Sequence, residues 1–142
     1  MKQASRRGGV SWPALISLTL LLLIPAYAIS RLAASVDWRI LVGVPLVVSL
    51  GTFVAYRSDK RRAQAGEWRV PESTLHLAEL AGGWPGAFLA QRTFRHKTSK
   101  VSYQVVFWVI VLSYQLVALD SLLGWRFTKE VLHLTRQPGN WE

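Results

Sequence analysis

Three long runs without a charged residue dominate this sequence: 12–29, 40–56 and 101–119. Each approaches the ~20 residues with which a helix crosses a hydrocarbon layer of ~30 Å. In lipid, every backbone amide has to find its partner inside the protein. Such runs therefore become helices, even where β-branched residues abound, as in 101–119. The expected class is all-α and integral to a membrane. The chain has no cysteine, which removes disulfide, thiolate-metal and thiol-nucleophile chemistry.

The flanks of each run set its orientation. Lys2, Arg6 and Arg7 precede the first run; Ser11 suits an N-cap and Pro13 a first helical turn. The same stretch fits a second reading. A basic start, an apolar core at 15–24, Pro25 and then Ala26-Tyr27-Ala28 resemble a cleavable signal peptide. An uncleaved span over 11–29 is the reading adopted, with the signal peptide as its alternative. A short loop with Arg31, Asp37 and Arg39 leads to a second span at 40–56, in which Gly51 and Ala55 offer a close-packing face. Arg57-Ser58-Asp59-Lys60-Arg61-Arg62 stops it. The formal charge is +9, from 17 Lys and Arg against 8 Asp and Glu. Lys and Arg concentrate in cytoplasmic loops, so the N-terminus and a basic loop at 57–70 are expected inside, and 30–39 outside. The expected location is a bacterial cytoplasmic (inner) membrane, multi-pass, with a cytoplasmic N-terminus.

Residues 71–95 carry polar groups and are broken by glycine. Pro71 and Glu72 suit the start of a helix, expected to run to about Ala81. Gly82-Gly83-Trp84-Pro85-Gly86 interrupts it, and a second helix is expected from Pro85 to Phe94. If this segment spanned, Arg92, Arg95, Lys97 and Lys100 would lie outside, against the charge bias. A re-entrant or interfacial helical hairpin avoids that, with Pro71, Gly82, Gly83, Pro85 and Gly86 as its structural residues; four spans is the alternative. The third span is expected at 101–120, with Gln104 and Gln115 tying it to its neighbours. Residues 124–142 form a C-terminal tail, in which 125–134 suits a short amphipathic helix on the membrane surface and 137–140 ends order.

Two candidate sites follow. Arg95, His96, Lys97, Thr98 and Lys100 form a basic, hydroxyl-bearing run suited to a phosphate or other anion, and also to a plain juxtamembrane collar. Glu72, His76, Glu79 and His96 are candidates for acid–base or ligating work, with pairing across the hairpin as the structural alternative. Their spacing matches no metal-binding motif, so no metal and no cofactor is expected.

Arg69-Val70-Pro71-Glu72, Leu75-His76, Gly82-Gly83-Trp84-Pro85-Gly86-Ala87, Gln91 and Phe94-Arg95-His96-Lys97-Thr98 with Lys100 together resemble a family of small prokaryotic integral membrane proteins, domain of unknown function 1294. The likeness makes 69–123 a family-signature domain after a two-helix anchor at 1–56. Some members carry a cold-shock domain before their spans, which implies a cytoplasmic N-terminus. The first ten residues leave no room for such a domain, so none is expected before the spans here. The family implies no activity that transfers to particular residues.

The function expected is non-enzymatic: a basic cytoplasmic hairpin that binds phosphate-bearing partners, most simply anionic lipid headgroups of the bilayer itself. An RNA-associated membrane adaptor is the alternative that the fused relatives suggest. A small membrane enzyme or transporter using Glu72, His76 and His96 is the third. No protein partner is indicated.

Overall fold

The computed structural model describes residues 10–136; Lys2, Arg6 and Arg7, and the expected end of order at 137–140, lie outside them. Among the described residues all regular structure is helical: α1 (Trp12–Leu32), α2 (Trp38–Ala65), α3 (Glu72–Ala78), a π-helical turn (Glu79–Gly83), α4 (Trp84–Phe94), α5 (Val101–Leu122) and α6 (Arg126–Arg136). Three of these, α1, α2 and α5, are long and apolar enough to cross a membrane. Their outward faces expose Leu20, Val47 and Leu116, the pattern of helices solvated by lipid.

The second helix departs from the sequence expectation. The basic stretch after Tyr56, expected as a loop over 57–70, is helical as far as Ala65. Arg, Lys, Gln and Ala are all strong helix formers, so leaving the apolar layer gives the backbone no reason to stop. It stops at Gly66, which adopts φ 67°, the left-handed conformation that closes helices and that glycine reaches without a Cβ clash. At the other end the Asp37 side chain accepts from the Arg39 amide at 2.9 Å.

Helices α1 and α5 run side by side in the same direction. Gln115 Nε2 donates to the Leu21 carbonyl at 2.7 Å, and the C-terminal ends of both helices line one cavity, through Arg31, Leu32, Ser121 and Gly124. The short connection at 33–37 sends α2 back the other way. Beyond α5, Asp120 organises the corner into α6, accepting from the Phe127 amide at 2.9 Å, the Thr128 amide at 3.1 Å and the Thr128 hydroxyl at 2.6 Å. Phe127, Val131 and Leu134 of α6 are exposed on one face.

The segment from α3 to α4 lies against α2. Helix α3 is shorter than expected and ends at Ala78, because the chain relaxes into a π turn before Gly82, whose φ of 108° only glycine adopts readily. The turn's free carbonyls are covered: Ser49 Oγ donates to Gly82 at 3.3 Å and the Tyr114 hydroxyl to Leu80 at 2.5 Å. Gly83 abuts Thr52, and Gly86 abuts the Ser49 backbone. Gly51, expected as a close-packing residue of α2, instead faces open space. The tight contact uses the neighbouring face of α2 and the glycines of the opposite partner.

Candidate functional site

Both ends of the 70–96 segment meet α2 at one level. Asp59, fully buried, accepts from the Val70 amide at 3.1 Å and lies 2.7 Å from His96 Nε2 and 3.5 Å from the Arg69 guanidinium. Lys60 donates to the Phe94 carbonyl. One turn deeper, Glu79 is also fully buried. Its Oε1 accepts from the Tyr56 and Tyr103 hydroxyls, the latter at 2.9 Å. Its Oε2 lies 2.7 Å from His76 Nδ1, and the His76 ring stacks on Tyr103 with centroids 4.1 Å apart.

The network continues sideways. Gln91 Nε2 donates to the Tyr56 hydroxyl at 3.1 Å, and Gln104 Nε2 donates to Gln91 Oε1 at 2.7 Å and to the Lys97 carbonyl at 3.0 Å. Tyr56 of α2, Glu79 of the π turn, Gln91 of α4 and Tyr103 of α5 thus form one buried polar knot. A buried polar group without a partner is costly, so a fully connected set of this kind fixes one arrangement of the four elements.

The sequence-derived candidates separate into different places. Glu72 holds Lys97 at 2.6 Å and Lys100 at 2.8 Å. His76 pairs with Glu79, and His96 with Asp59. Among the described residues no three His, Asp or Glu side chains converge as a metal-ligand set. Pairing of His76 and Glu79 with Arg92 or Arg95, the structural alternative, is replaced by pairing with each other and with the tyrosines. Of the anion-binding run, His96, Lys97 and Lys100 are engaged by carboxylates. Arg95, in the left-handed region at φ 48°, meets none within ion-pair distance among the described residues, and Thr98 is exposed.

Tyr56, Asp59 and Tyr103 are the members that sequence reasoning missed. A signal existed for Asp59, the one acid inside the basic run Arg57–Arg62. The tyrosines sit at the ends of apolar runs, where an interfacial aromatic belt accounts for them equally well.

The Lys100 and Lys97 ammonium groups beside Glu72 hold its carboxyl down from 4.5 to about 2. A depressed carboxylate stabilises the fold above its unfolded value, and that contribution is lost as pH falls through the folded one. The stability gap between the native chain and Glu72→Gln is therefore expected to be constant above pH 4.5 and to shrink between 4.5 and about 2. Solvent reaches this carboxylate, so the gap stays within the ~0.2–1 kcal/mol of exposed ion pairs. Thermal unfolding of both proteins in detergent across that range measures it. A gap that widens on acidification contradicts the assignment.

The comparisons with known proteins fall on this same region. The family model described as "Protein of unknown function (DUF1294)" matches residues 49–103. A protein of Bacillus subtilis (strain 168) described as "Uncharacterized protein YsdA" is 37% identical over 59 residues, covering 42% of this chain and 66% of that protein. No solved structure matches. The matched segment begins at Ser49, which donates to Gly82, and ends at Tyr103, which donates to Glu79. The polar knot and the glycine contact thus lie within the part of this chain that matches the model of the DUF1294 family of proteins of unknown function.

Proposed function

We propose that this is a non-enzymatic protein of a bacterial inner membrane. Its basic end faces the cytoplasm and engages anionic, phosphate-bearing partners, phospholipid headgroups before any other. The observation that carries this reading is the set of cations left over after internal pairing. Asp59 and Glu72 engage Arg69, His96, Lys97 and Lys100. Arg57, Arg61, Arg62, Arg92 and Arg95 meet no carboxylate within ion-pair distance among the described residues, and all are exposed. They gather at one end of the bundle, and cationic residues concentrate on the cytoplasmic side. The 70–96 segment dips from that side and returns to it. Its contact with Ser49 lies ~15 Å along α2 from Asp59 at ~1.5 Å per residue, about half of the hydrocarbon layer.

The test is reconstitution in nanodiscs of mixed phosphatidylethanolamine and phosphatidylglycerol, with the lipids nearest the protein quantified. The native chain is expected to enrich phosphatidylglycerol, and Arg-to-Gln changes at 57, 61, 62, 92 and 95 together to abolish the enrichment. Each basic residue near an anionic surface contributes about 1 kcal/mol, screened by salt. Equal enrichment by both proteins overturns the reading. RNA crosslinking in cells that these changes abolish, with lipid enrichment unaltered, would replace lipid with RNA as the partner.

A further inference from the structure

Between α4 and α5, at the basic end, lies a cavity of about 210 Å³ with an aromatic floor and a cationic mouth. Phe88 and Phe107 are buried at its base, and Trp108 meets both edge-on, at 6.4 and 5.6 Å between centroids. Gln91 and Gln104 stand in the wall, already bonded to each other. Arg92 and Thr98, both exposed, stand at the mouth.

Arg92 is the feature that calls for a ligand. Its guanidinium lies 4.3 Å from the Phe88 ring centroid, so an aromatic face holds it in place. No carboxylate among the described residues neutralises it. A planar, held guanidinium beside a hydroxyl suits a phosphate oxygen pair. The cavity is smaller than the ~300–1,000 Å³ that encloses a drug-sized ligand. It has room for a headgroup and little else, and the rest of such a molecule would have to lie outside it.

We propose that this cavity is a phospholipid subsite. It takes the phosphodiester of an anionic phospholipid on Arg92 and Thr98, with the adjoining carbons over Phe88 and Trp108 and the acyl chains in the bilayer. The assignment rests on the reading of the basic end as a headgroup-facing surface, and it names one place there where a lipid is bound specifically. An apolar floor between two helices, one of them a membrane span, favours a lipid over a soluble phosphate.

The experiment is native mass spectrometry of the full chain in neutral detergent, titrated separately with phosphatidylglycerol, diacylglycerol and glycerol 3-phosphate. Saturable binding of one phosphatidylglycerol is expected, weakened about tenfold or more by Arg92→Ala, the scale of one hydrogen bond to a charged group. Thr98→Val should weaken it less, and the combined Arg57→Gln, Arg61→Gln, Arg62→Gln variant should also weaken it less than Arg92→Ala does. Arg92 is exposed, so its replacement does not threaten folding. If phosphatidylglycerol binds but depends on Arg57, Arg61 and Arg62 and not on Arg92, the subsite fails while the basic-face reading stands. If phosphatidylglycerol binds no better than diacylglycerol, both fail. Arg92-dependent binding of glycerol 3-phosphate as tight as that of the lipid overturns the lipid assignment in favour of a soluble phosphate.

Discussion

Glu79→Ala is expected to destabilise the protein by roughly 3–5 kcal/mol, the scale of depriving several hydrogen-bonding groups of one shared buried partner. The carboxylate has no solvent exposure and serves Tyr56, Tyr103 and His76 together. Alanine removes the acceptor that two buried phenol hydroxyls share, leaving them only each other and Gln91, and takes the partner of a half-buried imidazole. Each stranded group costs about 1–3 kcal/mol. Glu79→Gln should be milder, because its carbonyl still accepts from the tyrosines while its amide can donate to His76. The order expected in thermal unfolding is native, then Gln, then Ala. A coupling measurement isolates the cause. Tyr56→Phe should cost less in the Glu79→Ala background than in the native one, since the hydroxyl it removes has already lost its Glu79 acceptor there. Additive effects of the two changes would mean that the knot does not hold the fold together. Glu67→Ala, at an exposed position of the 66–71 connection, is the control and should stay within ~0.5 kcal/mol.

The long elements were legible for a simple reason. Apolar runs in a membrane have one solution, so 12–29, 40–56 and 101–119 lead directly to α1, α2 and α5. Helix ends were less legible, because a helix does not need to stop where the membrane does. Arg57–Arg62 reads as a loop by charge and folds as helix by propensity. The site was least legible. Tyr56, Glu79 and Tyr103 come from separate elements, and no periodicity links Asp59 to His96. Charge and motif reasoning singled out Glu72, His76, Glu79 and His96, and weighed one shared constellation against pairing that closes the hairpin. Packing assigns each to its own partner, because a buried carboxylate takes the nearest donors that backbone geometry delivers. The basic run was similarly half readable. Its cations were evident, yet only the fold reveals that Glu72 occupies Lys97 and Lys100 and that Arg92 stands over Phe88.

Glycine placement yields a prediction with opposite signs at two positions. Gly86→Ala should destabilise the protein by about 3 kcal/mol or more, at or beyond the upper end of ordinary overpacking. The new Cβ would fall on the Ser49 peptide unit, 2.6 Å from its carbonyl carbon, and a backbone inside a helix cannot rotate aside. Ser49→Ala should not rescue it, since the obstruction is main chain. Gly51→Ala lies two residues along α2 from Ser49 and meets open space. There the added methyl only raises helix propensity, a gain of up to ~1 kcal/mol, so neutral or slightly higher stability is expected. Thermal unfolding in detergent, followed by tryptophan fluorescence, separates the two outcomes. Similar melting of Gly86→Ala and Gly51→Ala would show that α4 does not approach α2 closely, and the depth assigned to the 70–96 segment would fall with it. A selective loss at Gly86 places that backbone contact, with the Glu79 knot above it, as the paired constraint that holds a glycine-broken segment against a membrane span.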